Sequence, residues 1–77
     1  MRRSFKEHLY GFCELKGYKH VETQNPWSMI INDVITVTKE RGGYVARDTV
    51  LHLECWAKAS AWELLCLYIQ EIVNKHN

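Results

Sequence analysis

Arg41-Gly42-Gly43-Tyr44-Val45-Ala46-Arg47-Asp48 is the stretch whose reading decides the fold. Upstream, Ile35-Thr36-Val37-Thr38 is β-branched throughout, the side-chain class that packs well on a pleated strand. Glu40-Arg41-Gly42-Gly43 supplies turn residues, and Tyr44-Val45-Ala46 returns as a second strand. Together they predict a β-hairpin. Downstream, Asp48 has the side chain of an N-cap, so a helix carrying Val50, Leu51, Leu53 and Trp56 is expected after it.

Working outward, Ser4-Phe5-Lys6-Glu7 has the form of a capping box. Phe5, Leu9, Phe12 and Cys13 follow at helical spacing, and Lys16-Gly17 closes the segment, predicting a helix over about 5–16. Gly11 lowers the propensity of that helix, and close packing against a neighbour is one reason for a glycine there. Residues 18–24 are open to strand, loop or loose helix. Asn25-Pro26 reads as N-cap and first helical residue, with Trp27, Ile30, Ile31 and Val34 on one stripe. The competing reading is a strand from Ser28 to Ile31 with a turn at Asn32-Asp33; the helix is preferred. Ser60-Ala61-Trp62-Glu63 is a second capping box, so the apolar C-terminal region splits near Lys58–Ser60. In the last helix Trp62, Leu65, Ile69, Ile72 and Val73 share one side. Leu64, Cys66, Leu67 and Tyr68 are apolar as well, which predicts burial on more than one face. The expected class is α+β: a small, mostly helical domain with one β-hairpin, resembling a winged helix, spanning residues 1–77 as a single domain.

The totals bound this reading. Seventy-seven residues hold one thin core, and 47% hydrophobic content with three Trp is not a disordered composition. Net charge is +1, but residues 1–20 carry five Lys and Arg against Glu7 and Glu14. A basic end on a near-neutral chain suits a modest nucleic-acid contact, an acidic partner, or an ordinary solvated face. Cys13, Cys55 and Cys66 are odd in number and far apart, with no zinc-type spacing, and read as buried free thiols in a reducing compartment. Arg2-Arg3 does not lead into an apolar run, so no signal peptide is expected, and the stretch near Leu64 is too interrupted to span a bilayer. His8, His20, His52 and His76 lack paired ligand spacing, so neither metal nor cofactor is expected. Cys13 with His8 or His20 lacks an orienting carboxylate at recognisable spacing, and the chain reads as a non-enzyme.

The cations Lys39 and Arg41 at the hairpin tip, with Arg47 just beyond, suit phosphate contact by a protruding ribbon, and Gly42 and Gly43 let backbone come close. Lys16, Lys19 and His20 extend the basic face. Trp56 and Trp62 sit at core-like helical positions. Trp27 stands at an expected helix start, and with His20 it is the expected contact for a protein partner.

Gly42-Gly43-Tyr44-Val45, with Trp56 twelve residues after Tyr44 and an apolar helix beyond, resembles the C-terminal half of the KilA-N domain. That domain belongs to bacteriophage and large DNA-virus proteins and is similar to the fungal APSES DNA-binding domain. The likeness covers about residues 42–69. Ala46 stands where the family often has His, Lys58-Ala59 replaces its Ser/Asp-Pro corner, and its N-terminal strands have no counterpart. The resemblance implies a small phage-type regulator that binds DNA through the wing and adjacent helix. The alternative is a viral inhibitor or adaptor that blocks a host enzyme or defence complex, favoured by the near-zero charge and the aromatics. A third reading is a homodimer through the C-terminal helix. All three place the chain in the cytoplasm of a bacterium or infected cell, away from membranes.

Overall fold

The hairpin forms, but as the centre of a larger sheet. In the computed structural model, which describes residues 5–77, the chain runs α1 (Phe5–Lys16), β1 (His20–Glu22), β2 (Ser28–Ile31), β3 (Ile35–Glu40), β4 (Gly43–Asp48), β5 (Leu53–Lys58) and α2 (Trp62–Lys75). All five strands are antiparallel and lie in sequence order, β1-β2-β3-β4-β5. The expectation of a mostly helical, winged-helix-like domain with a single hairpin is therefore corrected: this is an α+β domain in which strand and helix contribute almost equally.

Two segments expected to be helical are strands, for one shared reason. Asn25 and Asp48 do what an N-cap does, since each carboxyl or amide oxygen accepts nearby backbone N–H groups. Asn25 Oδ1 accepts the Trp27 N–H at 2.9 Å, and Asp48 Oδ1 accepts those of Val50 and Leu51, both at 2.8 Å. The same geometry also makes an Asx turn, and here the chain leaves each turn extended. After Asn25, Met29 and Ile31 point to the core while Ile30 alternates away, so the rejected strand from Ser28 to Ile31 is the one that forms. The turn at Asn32-Asp33 forms too. Both residues have positive φ (51° and 66°), which short polar side chains tolerate.

The first helix runs over the expected residues. Its end is a Schellman motif: Gly17, at φ 74°, donates to the Glu14 carbonyl (3.3 Å), and the Tyr18 N–H reaches that of Cys13 (2.8 Å). Tyr18 packs edge-on against Phe12 across the motif. The capping residue proposed for the start, Ser4, lies outside the described residues. Gly11 is exposed, and a Cβ built there meets nothing within 4 Å, so close packing does not explain it. The start of α2 is capped by Ala61 without a side-chain bond, so Ser60 belongs to the preceding turn rather than to a capping box.

The core lies between the sheet and both helices. Phe5, Leu9 and Cys13 of α1 and Leu65, Ile69 and Ile72 of α2 meet Met29, Ile31, Ile35, Val37, Ala46 and Ala57 in one cluster. Each buried Leu or Ile contributes about 1.5–3 kcal/mol relative to exposure. The helices lie side by side and point the same way. His8 stacks near Trp62 (5.0 Å between ring centroids), and further along each helix the Cys13 and Cys66 thiols are close enough to interact. Tyr44 is sandwiched at this end, stacked on Phe5 at 5.1 Å and edge-on to Trp62 at 5.6 Å. Burial of α2 is one-sided, against expectation: Leu64 and Leu67 are exposed. No described helix is long and apolar enough to cross a membrane.

Candidate functional site: an open sheet face and a divided set of cations

Strand alternation separates two faces. The face that includes Met29, Ile31, Ile35, Val37, Ala46 and Ala57 is covered by the helices. The opposite face, with Val21, Ile30, Thr36, Thr38, Val45, Arg47 and Trp56, has neither described helix over it. Trp56 is 47% exposed and Val21 44%. The expectation that Trp56 is a core residue is thus corrected. Its neighbours alternate strictly, with Leu53, Cys55 and Ala57 toward the helices and Glu54, Trp56 and Lys58 away.

Arg47 forms the middle of the open face. Its Nη1 donates to Glu40 Oε2 at 2.9 Å and its Nε to Glu54 Oε2 at 3.0 Å. Hydrogen bonds to Glu54 and then Glu40 hold the guanidinium proton more tightly than usual. Val45, on the same strand and face between Arg47 and Gly43, is buried. Beside this triad runs a hydroxyl pair, Ser28 Oγ to Thr38 Oγ1, at 3.3 Å. Trp56 covers Gly43. A Cβ on Gly43 would lie 2.8 Å from the Trp56 ring and 2.4 Å from the Ala57 carbonyl oxygen, which is why only glycine fits there.

The residues expected to bind nucleic acid divide between the two ends of the sheet. At one end, Arg41 and Gly42 form the two-residue turn, with φ 49° and 76°. The Lys39 ammonium lies 4.7 Å over the ring of Trp27, which is exposed as expected. At the other end, Lys16 closes α1, Lys19 pairs with Asp33 at 3.2 Å, and the His20 ring packs 4.8 Å from that of Tyr10. The six-residue strands between hold the ends on the order of 17 Å apart. The ribbon itself lies flat, flanked by β2 and β5 along its length.

Two polar clusters flank the sheet. Glu22 accepts the Tyr10 hydroxyl and lies 3.6 Å from Lys6, and these contacts, Tyr10 first, lower its pKa. Asp48 is the deeper one: 2% exposed, bonded to the turn after β4 and to His76 beyond α2. Burial by itself would raise its pKa, but the His76 bond, the Leu51 and Val50 N–H groups and the His76 charge together bring it below the ordinary value. A cavity of about 180 Å³ lined by Asn32, Val34, Ile35, Val73, His76 and Asn77 opens beside this pair. Among the described residues no His, Cys, Asp and Glu group of three or more has the arrangement of a metal site.

The open face was the part that helical spacing hid. A period of two from Leu53 to Lys58 was its signal. No protein-family model, curated protein or solved structure matches the chain.

Proposed function

We propose that this chain is a partner-binding protein of the inhibitor or adaptor kind, engaging another protein through the open face of its sheet. The observation that carries this reading is the uncovered face itself: exposed Trp56 on β5 and Val21 on β1 lie either side of an Arg47 already neutralised by Glu40 and Glu54. Such a face offers apolar and hydroxyl groups with little net charge, the make-up of a protein interface core more than of a phosphate site. The free thiols Cys13, Cys55 and Cys66 suit a reducing compartment such as the cytoplasm.

The test is a capture experiment at high salt with three proteins: wild type, Thr36→Arg at the centre of the open face, and Leu67→Arg on the outer side of α2. A partner held by wild type and Leu67→Arg but lost by Thr36→Arg supports the reading. Retention by Thr36→Arg, or a salt-sensitive shift of DNA by wild type, overturns it.

DNA binding has one specific observation in its favour. Trp27, Lys39 and Arg41 lie at one end of the sheet, with the Lys39 ammonium over the Trp27 ring and Arg41 in the adjoining turn. In that case Arg41→Ala weakens binding alike on all sequences and lowers the salt slope by about 1. Lys16 and Lys19 belong to a different surface and their substitution leaves it unchanged.

A further inference from the structure

The outer edge of β5 carries the next inference. Its six residues pair continuously with β4, without a bulge or proline, and no described strand pairs with the other side. The opposite edge strand, β1, has only three residues. A long, regular free edge is a template for another strand. The phase of its hydrogen bonds is fixed by the turn: the Ala59 N–H donates to the Gly42 carbonyl at 3.0 Å. By antiparallel alternation Ala57 and Cys55 then bond inward to β4, and the N–H and C=O groups of Glu54, Trp56 and Lys58 point outward; the Lys58 carbonyl also accepts the Ala61 N–H at 2.9 Å, which leaves it one lone pair for a further donor.

Those outward residues form a palindrome of charge. When a second β5 runs antiparallel with Trp56 opposite Trp56, Glu54 faces Lys58 and Lys58 faces Glu54, on the same face as the two indoles. Small residues, Cys55 and Ala57, face each other on the helix side. Every outward backbone group from 54 to 58 then meets an outward group. Sliding the copies by two residues breaks both Glu54–Lys58 pairs, and sliding them by four puts Glu54 against Glu54 or Lys58 against Lys58, where like charges directly opposite are destabilising. Above the sheet α2 packs on β5 and β4, and Leu64 on that helix is 39% exposed.

We propose that two copies of this chain associate through β5, antiparallel and centred on Trp56, joining two five-stranded sheets into one of ten strands. The interface is isologous, as a two-fold dimer requires. It sets the two open faces edge to edge. It stands independently of whether that face takes a partner.

Sedimentation equilibrium over a concentration series tests it, with circular dichroism to check folding. Wild type is expected to move from 9.1 kDa toward twice that mass. Lys58→Glu sets carboxylates opposite one another twice, and dimerisation weakens by roughly tenfold or more. Glu54→Lys does the same with ammonium groups. An equimolar mixture of the two variants pairs unlike charges at both positions and regains the dimer mass. Because Glu54 also bonds Arg47, hydrogen exchange on wild type gives a second readout: the Glu54, Trp56 and Lys58 amides gain protection as concentration rises. A monomer at millimolar concentration, a dimer indifferent to Lys58→Glu, or unchanged exchange at those three amides overturns the proposal.

Discussion

The imidazole of His76, just past the end of α2, is bonded to the carboxylate of Asp48 at the end of β4, and the same carboxylate holds the turn that leads into β5. One buried acid thus joins the last helix to the middle of the sheet.

This pair predicts a pH dependence. The Asp48 pKa is lower in the folded chain than the unfolded value of about 3.9, so its contribution is fully present above that value and lost as pH falls through the folded one. Asp48→Asn keeps an oxygen for the turn and removes the charge. Urea unfolding should show wild type ahead of Asp48→Asn at neutral pH, with the gap closing below about pH 4. Asp48→Ala, which also strands two backbone donors, should cost about 1–3 kcal/mol more than Asn.

Gly11 should be replaceable with profit. It is helical, exposed and clear of neighbours. Gly11→Ala is expected to stabilise by about 0.5–1 kcal/mol through helix propensity and a less free unfolded chain. The urea midpoint should rise with an unchanged m value.

Gly43 behaves in the opposite way. Gly43→Ala drives a methyl into the Trp56 ring and the Ala57 carbonyl, and a cost of about 1–3 kcal/mol is expected. Trp56→Ala should recover only part of it, because the carbonyl stays. A double-mutant cycle measures the two shares.

Arg47→Ala removes a partly exposed ion-pair centre. Each pair at the surface contributes about 0.2–1 kcal/mol, so a loss near 1 kcal/mol is expected. The loss should shrink in 1 M salt, where the screening length falls to about 3 Å. Equal losses at low and high salt would assign the effect to the side chain's packing over the face instead.

Cys13 should be the last thiol to react. It is fully buried, and burial pushes its pKa up to about 11, with Cys66 adding to the shift. The thiolate is the nucleophile, so alkylation at pH 8 leaves Cys13 unmodified until the chain unfolds. Peptide mapping after iodoacetamide treatment reads this directly.

Much of the fold was written locally, and the parts that were not share a cause. The first helix, its glycine stop, the central hairpin and the core stripe Leu65, Ile69 and Ile72 follow from spacing and turn chemistry that operate within a few residues. Asn25 and Asp48 misled because a short polar side chain that binds the next amides does so equally before a helix and before a strand. Only the pairing partner decides between them, and β2 and β5 each take theirs from the hairpin. The same ambiguity concealed the candidate site. Once Leu53–Lys58 is a strand, Trp56 leaves the core and the alternation of Glu54, Trp56 and Lys58 becomes an exposed row. Trp27 is exposed, but the helix start on which its reading rested is instead the turn into β2. The distribution of Lys16, Lys19, Lys39 and Arg41 between two ends depends on strand direction, which no residue count reveals.

The strictly sequential strand order has a kinetic consequence. Each strand joins its neighbour across a connection of five residues or fewer, so the sheet can zip up through small loop closures, each with a modest entropic barrier. The distant encounters are those of the helices with the sheet and of the first helix with the last. Topology of this kind favours rapid assembly for a β-rich chain, with the meeting of the two helices over a nascent meander as the step that commits the molecule.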